Sequence, residues 1–285
     1  MLLANFRFLR VTCLSAAVTL VCLLSSPAQA VIGGADTASY SAVGDIMGAS
    51  GVQIADNWVL TASHVAGGVT PNQSIFEGLT GSSIVDAVYR FSDSSAPVNG
   101  NDIALLHLRV AIQAALPTLN GVVISNEQAS KLGELTIVSA QNNIPNGYGV
   151  TYGHAALDTY DNAGTPSTVN WLITEGGASV QGGDSGGALF KGTPGDSRGA
   201  LLLGIVSAAA DEITYDGNPT ASTFVQVAAY KAWINATMAG SGQQATWASR
   251  LTIPAPQSSV PEPSTAYLFL LCAATGAAVA LNRRT

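Results

Sequence analysis

The stretch Gly182-Gly183-Asp184-Ser185-Gly186-Gly187 places one serine between two pairs of small, flexible residues. A serine hydroxyl is a weak nucleophile until a neighbouring base takes its proton. Glycines on both sides let the backbone turn sharply and leave N–H groups free to point at a developing oxyanion. The same letters also fit an ordinary glycine-rich hairpin, so the choice between the two readings depends on a partner base elsewhere in the chain.

The position of the histidines relative to this serine excludes one fold. The chain has three histidines, His64, His107 and His154, and all of them precede Ser185. The Gly-x-Ser-x-Gly pattern also fits the nucleophile elbow of α/β-hydrolases, but that fold places its histidine after the serine. The chain also lacks alternating strand and helix patterns, so the elbow is excluded.

One histidine and one aspartate fit the remaining two roles. His64 follows the apolar run Trp58–Ala62, and a strand there would hold the imidazole rigidly. His107 is expected to pack within an apolar strand or at its edge, and His154 to lie in a loop. Asp102 stands at the head of a strongly apolar run, where a carboxylate needs a polar partner such as an imidazole. A turn before a strand would explain the same aspartate.

Together these segments resemble the chymotrypsin/trypsin family of serine proteases. The family's three motifs are matched, in the family's order, by Thr61-Ala62-Ser63-His64, Asp102-Ile103-Ala104-Leu105 and Gly183–Gly187. The resemblance extends to Gly204-Ile205-Val206-Ser207 and to a closing helix with Tyr230 and Trp233, so it covers most of residues 31–238. It implies an all-β fold of two packed antiparallel β-barrels with a C-terminal helix, and the activity of a secreted serine endopeptidase.

The resemblance also implies a role for each matched residue. Ser185 would attack the scissile carbonyl, His64 would move the proton, and Asp102 would orient the imidazole. The N–H groups of Gly183 and Ser185 would form the oxyanion hole. The family pairs a freed N-terminal ammonium with the aspartate before the serine, which here is Asp184.

The same comparison implies a specificity pocket formed by four residues, Ser179, Ser207, Ala208 and Ala209. Ser179 would lie at its floor, where an acid would select Lys or Arg, so a trypsin-like preference is disfavoured. Ala208 and Ala209 stand where the family usually has Trp and Gly. We therefore expect small or medium apolar side chains to be preferred.

This sequence departs from the family at several positions. Val65 and Gln181 stand near the histidine and the serine where the family has cysteines, and Ala188 replaces a proline. A catalytically inactive, protease-like binding module at the cell envelope is the main alternative function, and an esterase on the same fold is another. Retention of the three triad residues favours the protease.

The rest of the body predicts strands, because short apolar or alternating runs recur between clusters of Gly, Asn, Asp, Ser and Pro. The runs are Gly51–Ala55, Trp58–Ala62, Asp102–Leu108, Glu134–Ala140, Val169–Thr174, Gly187–Lys191, Ala200–Ala208 and Thr223–Ala228. A helix is expected over Val227–Met238 from its i, i+3, i+4 apolar face. We expect one barrel over residues 31–115 and a second over residues 116–240.

Residues 1–30 have the pattern of a secretory signal peptide. A basic start and the apolar stretch Val11–Leu24 precede Ala28-Gln29-Ala30, a small-residue cleavage site. Cleavage there would make Val31 the first residue of Val31-Ile32-Gly33-Gly34, which corresponds to the family's activated N-terminus. We therefore expect that export itself activates the protein, without a separate propeptide.

The C-terminal residues have a different composition. Residues 241–259 are rich in Gly, Ser, Gln and Pro, and predict a flexible linker. Val260-Pro261-Glu262-Pro263, the apolar run Ala266–Leu281 and Arg283-Arg284 then follow. This order resembles the PEP-CTERM sorting signal of bacterial envelope proteins. It implies transient membrane association and cleavage by a sorting enzyme. A simple anchor is the alternative, but the run is short for one, roughly 24 Å as a helix.

Composition limits the partners. Acidic residues outnumber basic ones 18 to 11, which disfavours nucleic acid because phosphate binding needs clustered cations. The three cysteines, Cys13, Cys22 and Cys272, lie in the terminal segments, so we expect no disulfide or thiolate metal site in the body. No cofactor or metal is expected, although a calcium loop around Asn72–Gly78 stays open. The expected partner is a protein or peptide substrate, and the expected location is the bacterial envelope or the cell exterior.

Overall fold

The structure is a computed structural model. It describes residues 31–37, 39–92, 101–125, 128, 132–144, 147–158, 171–209 and 221–251. The chain divides into two units, Met1–Leu251 and Thr252–Thr285, and the second lies outside the described residues. The predicted signal peptide, residues 1–30, and the predicted sorting tail, residues 260–285, also lie outside them.

The described residues are mostly β-structure. The strands are β1 Ala35–Thr37, β2 Val43–Ile46, β3 Ala49–Ala55, β4 Trp58–Thr61, β5 Ile75–Gly78, β6 Gly81–Arg90, β7 Ala104–Leu108, β8 Thr118–Asn120, β9 Glu134–Ile144, β10 Gly147–Asp158, β11 Trp171–Gly177, β12 Ala188–Lys191, β13 Leu201–Ala209, β14 Ser222–Gln226 and β15 Trp247–Ala248. The helices are α1 Ser63–Ala66 and α2 Lys231–Met238, with 3-10 turns at Val227–Tyr230 and Ala239–Ser241. The all-β prediction is confirmed.

Strands β2 to β7 form a closed barrel in the order β2-β3-β4-β7-β6-β5. Met47 and Gly48 connect β2 to β3 with φ values of 58° and 79°, the two-residue turn whose twist matches antiparallel strands. One of the apolar clusters in this barrel is centred on Phe76, Val85 and Leu106, all fully buried. The barrel therefore closes around its own core, as predicted.

The other nine strands form the second sheet. Six of them pair antiparallel in a ring, β12-β9-β10-β11-β14-β13, and β13 returns to β12. Strand β1 joins β10 antiparallel, so the chain crosses from this sheet into the first barrel and back. Strands β8 and β15 add two parallel pairings beside β13, which the purely antiparallel prediction did not include.

One apolar cluster joins the two halves. It combines Val52 and Leu105 of the first barrel with Phe190 and Ile205 of the second sheet. Burial of large side chains contributes about 1.5–3 kcal/mol each, so the two halves form one packed body. Sites that use residues of both halves are therefore held rigidly.

The predicted helix is present, and its first turn is a 3-10 helix. Tyr230, Ile234 and Met238 point into the core and are at most 3% exposed. The segment that follows differs from the predicted linker, because it carries β15 and its Leu251 carbonyl accepts a hydrogen bond from Lys191 Nζ at 2.8 Å. The linker prediction rested on the glycine- and serine-rich composition and overlooked Trp247, whose apolar side chain packs against the core. In the part of the chain that the structure describes, no helix has the length and apolar character needed to cross a membrane.

Candidate active site

His64 lies where β4 ends and α1 begins. All four residues of β4 are buried, and the two residues that follow, Ala62 and Ser63, are fully buried. The buried backbone fixes the chain up to the imidazole, whose side chain is 24% exposed. His64 is therefore held by a rigid element while it stays accessible to solvent and substrate.

Asp102 lies just before β7 and is fully buried. Its Oδ2 accepts hydrogen bonds from His64 Nδ1 at 2.7 Å and from Ser207 Oγ at 2.7 Å, and its Oδ1 accepts the backbone N–H of His64 at 2.9 Å. Three donors offset the unfavourable burial of a carboxylate. The bond to Nδ1 orients the ring and leaves Nε2 as the nitrogen that can take a proton.

Ser207 reaches Asp102 because of a local irregularity in β13. The register of β13 with β14 shifts between Val206 and Ala208, which places a β-bulge at Ser207. Such a bulge redirects a side chain, and here the Ser207 hydroxyl contacts the carboxylate instead of following the regular alternation. The sequence analysis assigned Ser207 to the specificity pocket, and the structure shows that its hydroxyl contacts Asp102.

The turn that carries Ser185 packs against both halves of the molecule. Gly186 donates its N–H to the Val206 carbonyl at 2.8 Å, one residue before Ser207, and Ser185 accepts the Ser50 N–H at 2.8 Å. Gly183 and Gly186 have φ values of 99° and 83°, which favour glycine. The structure thus brings His64, Asp102 and Ser207 into one cluster and places the Ser185 turn beside it.

Asp184, in the same turn, is fully buried. Its Oδ2 accepts the Gln181 N–H at 2.8 Å, while no hydrogen bond of ordinary geometry reaches Oδ1 from the described residues. Burial raises the pKa of Asp184 to about 7, and the Gln181 N–H and the nearby Ser139 hydroxyl offset only part of that rise. A cationic partner at the free oxygen would therefore stabilise the ionised form of this buried carboxylate.

Val31 is also fully buried, in an apolar cluster with Ala178 and Val180. The next residue, Ile32, exchanges backbone hydrogen bonds with Ser179, at 2.8 Å and 3.1 Å. Val31 therefore lies against the strand end that leads into the Asp184 turn. This placement is compatible with the predicted activation pair of Val31 and Asp184.

The other predicted pocket residues lie on either side of β14: Ser179 follows β11, and Ala208 and Ala209 end β13. Ser179 is 3% exposed, and Ala208 and Ala209 are 2% and 8% exposed. The next residue after Ser179, Val180, donates its N–H to Ser222 Oγ at 3.0 Å, and Ala209 pairs with Ser222 across the ladder. Sequence reasoning did not identify Ser222, because nothing in the sequence around it marks a site.

The other two histidines lie elsewhere. His107 Nδ1 contacts Asp86 Oδ1 at 2.6 Å, and the ring packs edge-on against Trp58 with centroids 4.8 Å apart. His154 lies on β10, not in a loop as expected, and its side chain is outside the described residues. Asn72, at the start of the suggested calcium loop, accepts a hydrogen bond from Arg109 Nη2 at 2.5 Å, so its side-chain oxygen already faces a cation.

A closed β-barrel joined to a second β-sheet, with a His–Asp pair at the end of its strands, defines a trypsin-like fold. The Trypsin family model matches residues 31–234, and the chain belongs to that family. Among curated proteins, none matches this chain. One similar solved structure is the scabies mite inactivated protease paralogue S-I1, with a TM-score of 0.52 and 16% sequence identity. The match covers 67% of this chain and 88% of the mite protein.

Proposed function

We propose that this protein is a secreted serine endopeptidase that hydrolyses peptide bonds through an acyl-enzyme. The main support is the 2.7 Å bond between His64 Nδ1 and the buried Oδ2 of Asp102. A carboxylate on one ring nitrogen orients the imidazole and stabilises its protonated form, so the other nitrogen can act as a general base. Family membership supplies the same expectation.

In the proposed reaction, Ser185 Oγ attacks the scissile carbonyl while His64 Nε2 takes the hydroxyl proton. The oxyanion accepts hydrogen bonds from the N–H groups of Gly183 and Ser185, and loss of one such donor raises the barrier by roughly 3–4 kcal/mol. Collapse breaks the C–N bond, and the imidazolium gives its proton to the leaving amine. Water then attacks the ester by the same proton path and restores Ser185.

We further propose that cleavage after Ala30 activates the protein. The freed ammonium group of Val31 would pair with Asp184, whose Oδ1 lacks a hydrogen bond of ordinary geometry among the described residues. An ammonium–carboxylate pair would favour the ionised form of Asp184 and order the turn on either side of Ser185. On this proposal, signal-peptide removal and activation are one event.

Specificity, location and partners are also proposals. The pocket of Ser179, Ser207, Ala208 and Ala209 has no acid among these four residues, which supports a preference for small or medium apolar side chains. We propose that the chain is exported and that its PEP-CTERM-like tail, residues 260–285, associates transiently with the membrane until a sorting enzyme cuts it.

A fluorophosphonate probe tests the proposed nucleophile. We expect covalent labelling of the processed protein, loss of labelling in Ser185→Ala, and normal labelling in Ser82→Ala, which changes an exposed serine of β6. Cleavage of a peptide library would then give the side-chain preference. Absence of both labelling and cleavage in the folded protein would favour the alternative of a catalytically inactive binding module. The similar mite protein is described as an inactivated protease paralogue.

A further inference from the structure

Ser50 connects the serine turn to the rest of the site. It is the second residue of β3 and is fully buried. Its backbone N–H donates to the Ser185 carbonyl at 2.8 Å, and its Oγ lies 3.4 Å from the Gly183 carbonyl oxygen. One residue of the first barrel therefore contacts the carbonyls on both sides of Asp184.

These two contacts bear directly on the proposed oxyanion hole. The carbonyl of Gly183 belongs to the peptide group that joins Gly183 to Asp184, and the carbonyl of Ser185 belongs to the peptide group that joins Ser185 to Gly186. The Ser185 N–H lies in the peptide group between those two planes. Because peptide groups are planar, fixing both neighbours restricts the direction in which this N–H points.

Ser50 is itself fixed by two further hydrogen bonds. Its Oγ accepts the Ala140 N–H of β9 at 3.0 Å, and its carbonyl accepts the Thr61 hydroxyl at 2.7 Å. Thr61 lies three residues before His64. A Cβ on Gly186 would overlap both the Ser50 carbonyl and the Thr61 hydroxyl, so the turn is in close contact with this pair.

We propose that Ser50 is a positioning residue that holds the Gly183–Ser185 peptide groups in register with His64, an inference that rests on the proposed function. The hydroxyl of Ser50, bound to β9, and its backbone, bound to the turn and to Thr61, join three elements that carry or flank the reacting groups. No cysteine lies between residues 31 and 251, so these hydrogen bonds make the connection without a disulfide.

The test compares Ser50→Ala with Ser83→Ala in the full chain after export. Ser83 is a matched control, because it is buried, its Oγ accepts the Val110 N–H at 2.9 Å, and it makes a similarly long contact of 3.5 Å with a carbonyl. We expect Ser50→Ala to lower kcat about tenfold with little change in KM, since small misplacement of reacting groups has effects of this size or larger. Ser83→Ala should keep kcat within about twofold, the scale of a surface-remote change.

Thr61 supplies a second pair of variants that leaves Ser50 in place. Thr61→Val removes the hydroxyl that bonds the Ser50 carbonyl, and Thr61→Ser keeps it. We expect a several-fold lower kcat in Thr61→Val and recovery in Thr61→Ser. If Ser50→Ala does not fold, these two variants still test whether Ser50 positions the Ser185 turn. Equal kcat in Thr61→Val and Thr61→Ser would overturn the proposal.

Amide hydrogen exchange of residues 181–187 gives a readout that does not depend on activity. We expect faster exchange in Ser50→Ala than in wild type or Ser83→Ala, at conditions of equal global stability. Unchanged exchange, or a loss of kcat no larger than in Ser83→Ala, would overturn the role of Ser50. An inactive wild-type protein would instead contradict the proposed function, and the exchange result would still decide whether Ser50 orders the turn.

Discussion

The buried carboxylate of Asp184 gives a quantitative prediction about the N-terminus. Two forms of the protein are needed, one that begins at Val31 and one that keeps Ala30, each with and without Asp184→Asn. In the extended form no ammonium group reaches the carboxylate, so Asp184 keeps the raised pKa that results from its burial. In the processed form we expect the Val31 ammonium to pair with it.

The size of the effect follows from the pKa. Burial raises the pKa of Asp184 from 3.8 to about 7, and each unit corresponds to about 1.36 kcal/mol. The folded protein therefore binds this proton more tightly than the unfolded chain does. Its stability contribution is complete below the unfolded pKa and is lost as pH rises from 3.8 through about 7, a total loss of about 4 kcal/mol.

This pH-dependent loss of stability can be measured as the free energy of unfolding in denaturant, from pH 4 to pH 8. In the extended form, Asp184→Asn should raise the free energy of unfolding by about 4 kcal/mol at pH 8 and leave it unchanged near pH 4. In the processed form the same substitution should lower it by about 3–5 kcal/mol at pH 8, because it breaks a buried ion pair. The sign of the effect therefore depends on one residue at the N-terminus.

Asp45 provides the control for this experiment. Burial also raises the pKa of Asp45, but that carboxylate lies in β2, where its Oδ1 accepts the Gly48 N–H at 3.3 Å. Asp45→Asn should have the same effect in the two N-terminal forms. If Asp184→Asn also had the same effect in both, pairing with Val31 and activation by export would be refuted together.

Three further substitutions test the described contacts. Ser207→Ala removes a hydrogen bond to the buried carboxylate, and we expect about a tenfold lower kcat with unchanged KM in peptide hydrolysis, close to the 1–3 kcal/mol range for such a loss. Gly186→Ala places a Cβ against the Ser50 carbonyl at a φ of 83°, and a loss above 3 kcal/mol should lower Tm by about 10 °C in a thermal melt. Asp86→Asn breaks the ion pair with His107. Because the side chains of Asp86 and His107 are 30% and 28% exposed, the substitution should change the free energy of unfolding by less than about 1 kcal/mol and leave kcat unchanged.

Much of the fold was visible in the sequence because buried strands have a continuous apolar pattern. Six runs agree with their strand to within about two residues at each end. Val169–Thr174 stops three residues before the end of β11, and Glu134–Ala140 stops four residues before the end of β9. The strands that no run predicted are β1, β2, β5, β6, β8, β10 and β15. In the closed barrel, Val43-Gly44-Asp45-Ile46 and the polar residues of β5 and β6 interrupt the apolar pattern. Backbone pairing within a closed barrel holds such segments in place where local propensity does not.

The site was predictable to the extent that short motifs carry it. His64, Asp102 and the glycines around Ser185 stand in such motifs, and the structure brings His64 and Asp102 into contact. Ser50 could not be found in this way, because it stands outside the three motifs and its contacts with Gly183 and Ser185 join residues more than a hundred positions apart in the chain. The redirected Ser207 likewise depends on a strand irregularity that no residue in β13 specifies.

The pairing of β1 with β10 also determines when the N-terminal strand can take its place during folding. Ala35 pairs with Tyr152, which lies more than a hundred residues further along the chain and is synthesised later. At about 5–20 residues per second of synthesis, that partner emerges roughly ten seconds later. The N-terminal segment that carries Val31 and β1 therefore cannot pack in its final position until most of the second sheet has formed. On the proposed function, a partly synthesised chain would lack an ordered Ser185 turn, so peptide hydrolysis could begin only after the second sheet is complete.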